Sequence, residues 1–592
     1  MKSLQRLGQV PIVLAAPALS VLLVVFGIPI VLLLLSSFNA PDFSLDNYQA
    51  FFVQPANVRV LIQTIEISLV TTLICVIIGY PTAYLIVAAS NRLRVALIVL
   101  VVIPYLTSGL VRTYAWIVIL GDRGLINNLL LHLGVISTPL PLIYNRMAVY
   151  VGMVHIMLPV MILPLVSVMM GIDRSFMAAA RSMGAKPFSA FWRVFFPLSL
   201  SGVRSGALLV FVICLGFYIT PQALGGLRDA MLSTFIVAQV AGSFPIARIA
   251  ASAFILLVIA VLVLSIFGLD VSGSHGGGAQ QARKSWFRRL LFLGRLRGNF
   301  GECATRYRAK RWTANLYQPA GDSASSTTVG SVFIVLVMSY LLFPEILVVI
   351  MSFGAGSLLQ FPPSGFSLRW YSTFFGEPSW IGSAWISIEL AVMVAVLSTF
   401  VGTLAAYGLS RTSPRLRGFL TMTILTPITF PVIVVGVATY FGLIRLGLIG
   451  SYTGIVLAHS VGAIGYVVVI VSATLANFDR RLEQAAKSMR AGPVKTFTRV
   501  TLPLIRPGIL GGAVFAFLHS FDEVVVTSLI SGFSIRTLPL KMFENIRNEI
   551  DPTIAAVASL LMLIPLLSLV ALYVTWWRAR PHPKRGLAIP TT

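Results

Sequence analysis

The sequence predicts an all-α integral membrane protein built from two parallel six-helix repeats, about 12 transmembrane helices in one chain. Hydrophobic residues make up 57% of the 592 positions and charged residues 11%, against roughly 25% charged in an average soluble domain. A soluble core cannot hide that much apolar surface. Apolar runs of about 20 residues, the length that crosses the hydrocarbon layer, fall near 12–36, 61–89, 96–120, 147–171, 205–224 and 249–269. After a polar interval they resume near 331–352, 383–409, 419–441, 452–475, 509–530 and 554–576. The third observation is a repeated sentence: AAARSMGAKPFSAFWRVFFPL, from Ala178, returns 306 residues later as QAAKSMRAGPVKTFTRVTLPL, from Gln484. Two prolines, Pro187/Pro493 and Pro197/Pro503, pair at the same offset, which marks an internal repeat.

The first run follows only Lys2 and Arg6 and is too long for a cleaved signal core, so it reads as an uncleaved anchor, with LAAPALS as the competing cleavage-like reading. A net charge of +25 raises the question of nucleic acid, and the placement of the charges answers it. With the N-terminus inside, 33 of the 44 lysines and arginines fall in cytoplasmic segments, the pattern of the positive-inside rule. Both termini are then cytoplasmic, and no segment outside the spans is large enough to be a soluble domain with a basic nucleic-acid face. Between the halves the composition turns polar, which gives a first half at 1–270, a basic cytoplasmic linker at 271–330 and a second half at 331–592. The linker's WFRRLLFLGRLRGNF supports two readings equally, a segment lying on anionic membrane lipids or a solvated tether.

The repeat reaches further than the loop. GYPTAY at 79–84 resembles GTLAAY at 402–407, and Pro104 falls opposite Pro427, and Glu66 opposite Glu389, at one offset of 323. An even number of spans and a cytoplasmic linker make the repeats parallel, with the natural pathway at their interface. Cys75, Cys214 and Cys303 form no CxxC or Cys/His spacing, so neither a disulfide framework nor a metal is expected. His155, His459 and His519 read as packed polar residues.

Each repeated loop lies in the cytoplasmic segment between the fourth and fifth spans, where a soluble partner can reach it. Ala178 to Ala180 favour helix, Gly184 suits a left-handed stop, and Pro187 suits the first turn of a second helix. Phe188, Phe191, Trp192 and Phe195 then fall at i, i+3, i+4 and i+7, an aromatic stripe expected to anchor in a partner's groove.

With its EAA-like start, Gly184 and closing hydrophobic–x–Leu–Pro, the loop resembles the signature of permease subunits of bacterial ATP-binding-cassette (ABC) importers, and the chain looks like two such subunits fused. VRTYAWIVILGDRGLINNLL (111–130) resembles the first permease subunit of spermidine/putrescine importers, and SFDEVVVTSLISG (520–532) with TLPLKMF (537–543) resembles the second. The resemblance implies the type I importer fold in a bacterial inner membrane. It also implies two cytoplasmic ATPase subunits that bind ATP and Mg, and a periplasmic substrate-binding protein. The chain itself has no GxxxxGK[ST] phosphate loop, so it is read as a transport subunit without enzymatic activity or a cofactor of its own. Carried over residue by residue, ATPase coupling falls on Ala179, Ala180, Gly184, Phe188, Phe191 and Pro197, and on Ala485, Ala486, Arg490, Phe497 and Pro503. The sequence departs from the motif where its Glu is Ala178 or Gln484 and where its second Gly is Arg490, with Gly492 placed to take over the turn. Related permeases for ferric iron, thiamine or phosphonates share much of the pattern.

Ionisable residues within spans point to function. Asp522 and Glu523 lie in the eleventh run, whereas their counterparts at the 306 offset are Gly216 and Phe217. An acidic pair in one half suits a cationic solute, with Tyr114, Trp116, Tyr218 and Tyr440 as cation–π faces. The equal alternative is a pair that braces helices. Glu66 and Glu389 lie near the outer ends of their spans and read as structural. The rival architecture, a secondary transporter of twelve spans, predicts coupling charges deep in the spans and no cytoplasmic partner.

Overall fold

A computed structural model describes residues 11–267, 324–357, 360–548 and 551–579. The linker centre, with Ser274 and Cys303, lies outside the described residues, as do Lys2 and Arg6. The described residues are helical apart from turns and one isolated bridge, Gly354 to Phe366. Among the described residues nine helices are long and apolar enough to cross a membrane, or up to 11 when each of two bent pairs counts as one span. This is an all-α, multi-pass membrane protein.

The first half includes the helices α1 (Val13–Ser37), α2 (Pro55–Ala88), α3 (Asn91–Leu106), α4 (Gly109–Leu120), α5 (Arg146–Met170), α6 (Arg174–Ser182), α7 (Pro187–Leu215), α8 (Ile219–Leu224), α9 (Leu232–Ala241) and α10 (Ile246–Phe267), with shorter helices at Asp46–Val53 and Leu125–His132. The second half answers with α11 (Ala324–Ser352), α12 (Pro378–Ser410), α13 (Pro414–Thr429), α14 (Val432–Arg445), α15 (Tyr452–Ala476), α16 (Arg481–Ser488), α17 (Pro493–Phe521), α18 (Val525–Ile530), α19 (Leu538–Asn548) and α20 (Thr553–Ala579), and with a short helix at Arg369–Gly376 that matches Asp46–Val53. Even small details repeat: Ser37 and Tyr48 hydroxyls lie 2.7 Å apart, and Ser352 and Tyr371 hydroxyls 2.8 Å apart.

Four spans differ from their sequence expectation. The third and ninth are not straight: α3 and α4 meet at 92° across Thr107–Ser108, and α13 and α14 at 99° across Phe430–Pro431. Hydropathy averages over such a break because the residues on both sides are apolar. The fifth and eleventh runs stop early, at Leu215 and Phe521, and begin early, at Pro187 and Pro493, because the loop's second helix runs on into the span. Each continuation passes through one π-helical turn, Phe191–Phe195 and Phe497–Thr501, of the kind that accommodates an extra residue inside a helix.

The leading helices change sides. α1 packs on α12 and α14 of the second half, where Pro29 fits against Gly442, and α11 packs on α3 and α4 of the first. Tyr340 of α11 donates to the Val151 carbonyl at 2.7 Å, and His155 lies 3.1 Å from the Leu341 carbonyl.

Each half is otherwise built on a three-helix core, α2–α5–α7 and α12–α15–α17. One side chain plugs each core between two glycines. A methyl group added at Gly79 would lie 2.9 Å from Met161 and one at Gly206 2.8 Å from it; at Gly402 it would lie 2.8 Å from Val467 and at Gly512 3.3 Å. Met161 can bend away, whereas Val467 is β-branched and fixed. Gly402→Ala should therefore destabilise the solubilised protein by about 1–3 kcal/mol, and Gly79→Ala by clearly less, read as thermal midpoints. Equal losses would show that side-chain stiffness does not set the packing.

Candidate functional site

Asp522 and Glu523 do not sit inside a span, as the sequence suggested. Asp522 caps the C-terminus of α17, and the Glu523 carboxylate accepts the Val526 N–H at 2.9 Å, starting α18. Such local side-chain bonds offer the backbone an alternative to helix. His459 of α15 spans the break: Nδ1 lies 2.9 Å from Ser520 Oγ and Nε2 2.9 Å from Thr527 Oγ1. The Thr527 hydroxyl proton goes to the Glu523 carbonyl at 2.6 Å, so His459 donates through Nε2–H and accepts at Nδ1.

This break faces the one in the other half. Ser108 caps α4 by accepting the Leu110 N–H at 3.2 Å, and its hydroxyl donates to Asp522 Oδ1. Beside it, Thr107 Oγ1 lies 2.7 Å from Glu345 Oε1, a buried carboxyl on the crossed-over helix α11. The counterparts of Ser108 and Asp522 are Pro431 and Gly216, and these also meet, since a methyl group on Gly216 would come within 2.9 Å of Pro431. The counterpart of Thr107 is Phe430, which packs edge-on against Phe26 at 6.1 Å. The two crossing contacts thus share a geometry and differ in chemistry, one polar and one apolar.

The polar contact opens into a cavity of about 250 Å³. Asp522 is exposed into it, and Glu523, Ser108 and Arg112 complete its polar wall, with His519 and the rings of Tyr105, Tyr466, Phe515 and Phe521 around them. His519 fits because residue 462 is glycine: a methyl group there would lie 2.4 Å from Nε2. The rings expected from sequence lie elsewhere. Tyr114 is fully buried within α4, Trp116 packs on His155 and Tyr340 at 5.7 and 5.5 Å, and Tyr218 packs on Phe543 at 5.5 Å. Tyr440 is half-buried and does not line the cavity. Glu66 pairs with Arg146 at 3.1 Å, outside it.

The repeated loops are a second site. Ala179 and Ala485 are exposed, whereas Ala180 and Ala486 face inward. Met183 and Met489, at the same register, are 81% and 78% exposed. Gly184 takes the left-handed stop at φ +82° and Arg490 takes it at φ +60°. Gly492 does not take over the turn; it is extended at φ −67° ahead of Pro493. The aromatic stripe also departs from expectation. Because the second loop helix is the start of a span, Phe191 and Phe195 turn onto Tyr84 at 5.5 and 5.4 Å, and Phe497 onto Tyr407 at 4.6 Å. Phe188 is half-buried beside Trp192, while Pro197 is exposed and Pro503 lies in the first turn after the π-helical segment.

The anchors beneath the loops differ. In the first, Met177 and Phe195 are buried together with that aromatic cluster. Their counterparts are Glu483 and Thr501: Arg411 and Thr501 both donate to Glu483 Oε1, and the Arg411 guanidinium lies 3.4 Å over the Tyr407 ring.

The family description "Binding-protein-dependent transport system inner membrane component" matches residues 398–580. The spermidine/putrescine transport system permease protein PotB of Salmonella typhimurium (strain SL1344) is 34% identical over 204 residues, 34% of this chain and 71% of that protein. PotB of Haemophilus influenzae is likewise 34% identical with 71% of its length covered. The putrescine transport system permease protein PotI of Escherichia coli (strain K12) is 32% identical over 239 residues, 39% of this chain and 84% of its own length. This chain belongs to the binding-protein-dependent transport permeases. It resembles the polyamine permease subunits among them, and as a permease of this family it is an inner-membrane protein.

Sequence reasoning missed Ser108, the partner of Asp522, and the neighbouring Thr107, Glu345 and Arg112. Arg112 and Glu345 are ionisable residues within apolar runs, the same signal that exposed Asp522 and Glu523.

Two outcomes follow for the loops. Arg490 holds a backbone conformation that costs a non-glycine residue roughly 1–2 kcal/mol. Arg490→Gly should slow hydrogen exchange over residues 481–496, and Gly184→Arg should speed it in the other loop; no change in either would remove strain as a factor. Burial raises the Glu483 carboxyl, but hydrogen bonds from Thr501 and Arg411 and the Arg411 charge outweigh it and hold it below the ordinary value of 4.5. The anchor is therefore complete above pH 4.5 and is lost as pH falls through the lower folded value. Proteolysis at the second loop should accelerate in acid before the first loop responds, and Glu483→Gln should show that faster cutting already at neutral pH.

Proposed function

We propose that this permease forms the import pathway for a small cationic solute, a polyamine such as putrescine or spermidine, powered by a separate cytoplasmic ATPase. The observation that carries the reading is the cavity between the broken helices, where Asp522 and Glu523 line the wall and Glu345 stands behind Thr107. Three carboxyl groups against one arginine attract cations, and the rings of Tyr105 and Tyr466 offer faces to an ammonium or to methylene segments. An anionic phosphonate would meet repulsion there. The names of PotB and PotI as polyamine permeases agree with this chemistry.

In this reading both termini and both repeated loops face the cytoplasm. Each loop docks one ATPase subunit, which binds ATP and Mg, through the exposed faces carrying Ala179 with Met183 and Ala485 with Met489. A periplasmic binding protein delivers the solute. The first half ends and the second begins in a linker at 271–330, and no role for nucleic acid enters.

Asp522→Asn with Glu523→Gln keeps shape and removes charge. In vesicles holding the permease, its ATPase and its binding protein, putrescine uptake per folded complex should fall by at least about tenfold. Unchanged uptake per folded complex would take the pair out of the pathway, and a loss confined to yield or thermal stability would assign it to bracing.

A further inference from the structure

Arg112 is the one feature of the cavity that a polyamine site does not explain. It lies on α4 one turn beyond Ser108, whose carbonyl accepts the Arg112 backbone N–H at 3.1 Å, so the two side chains share a helix face. It is 5% exposed, and that exposure is to the cavity. A guanidinium this buried is costly unless its charge is met. One nitrogen donates to the Ile156 carbonyl at 3.3 Å, and Nε has no partner among the described residues. Arg112 interacts electrostatically with Glu345 and Asp522 but makes no direct ion pair among the described residues. Those carboxyl groups are bonded to Thr107 and Ser108 instead. The charge therefore stands beside the acids without being locked to them.

We propose that Arg112 is the resident counter-cation of the empty cavity, partly offsetting the charge of Asp522 and Glu345 while no solute is bound and ceding that role to an incoming ammonium group. Buried carboxylates without a cation cost several kcal/mol, and an importer must pass through empty states. When solute is present the guanidinium repels it, which weakens the site and favours release. The distribution of residues fits this pairing. On the opposite crossing contact the acid is replaced by Gly216, and the arginine by Val435, a buried residue of α14, so acid and counter-charge are both absent from that side.

The proposal rests on the cation-import reading, and the test separates the two. Equilibrium binding of radiolabelled putrescine and spermidine is measured on the nucleotide-free permease–ATPase complex, without binding protein. Arg112→Gln should tighten binding roughly tenfold, Arg112→Lys should stay near wild type, and Asp522→Asn should weaken binding and abolish the gain in the double variant. If Asp522→Asn weakens binding but Arg112→Gln does not tighten it, the counter-cation role is wrong and the import reading stands. Failure of the wild type to bind either amine, or indifference to Asp522→Asn, would overturn the reading and this proposal together. Should Arg112→Gln not assemble, Arg112→Gln with Glu345→Gln restores the charge balance and should assemble; failure of that pair as well would make Arg112 a brace.

Discussion

The architecture turns on one constraint: a helix that breaks inside a membrane exposes backbone groups that lipid cannot satisfy. Two spans bend sharply and two others end short, and these four junctions are placed against one another in two crossing pairs, Thr107–Ser108 with Asp522–Glu523 and Phe430–Pro431 with Gly216–Phe217. Ser108 and Glu523 cap the helices that restart, and His459 ties the ends of one break together. Irregular backbone at this depth is tolerated where it lines a cavity, and the cavity lies at the polar pair. The swap of α1 and α11 onto the opposite halves serves the same junction, since it brings Phe26 to Phe430 and Glu345 to Thr107.

The spans were legible in the sequence because each is a long apolar run, and the repeat was legible because matched helices keep their registers. The bends were not. Thr107 and Ser108 are small and uncharged, and an average over about 20 residues does not register them. Asp522 and Glu523 stood out as acids in an apolar run, yet their surroundings could not be found from spacing, because Ser108, which bonds Asp522, lies in the other half, and Glu345, which bonds the adjacent Thr107, lies on a helix that changes sides. The aromatic residues misled for a simpler reason. Rings are common in membrane helices, and sequence did not distinguish Tyr114 and Trp116, packed inward on α4, from Tyr105 and Tyr466, which reach the cavity.

Beneath the loops, the same backbone geometry is supported by different forces. Met177 and Phe195 anchor the first by apolar burial, which salt leaves nearly untouched, whereas Glu483, Arg411 and Thr501 anchor the second by charge and hydrogen bonds. The aromatic pair common to both, Tyr84 with Phe191 and Tyr407 with Phe497, keeps the position of the helix start equal in the two. Symmetry is thus preserved in shape at the loop surface and relaxed in the layer below it.

The crossing contacts carry one more consequence, which concerns stoichiometry. The polar contact needs Ser108 from one half and Asp522 from the other, while each half's remaining break is apolar. A pairing of two first halves would juxtapose Ser108 with Gly216 and hold no acid, and a pairing of two second halves would set Asp522 against Pro431, a residue with no proton to give. Only the mixed pairing builds the site. Encoding both halves in one polypeptide fixes their ratio at one to one and places the correct mate at high effective concentration, so that mismatched, chemically vacant assemblies are suppressed at synthesis.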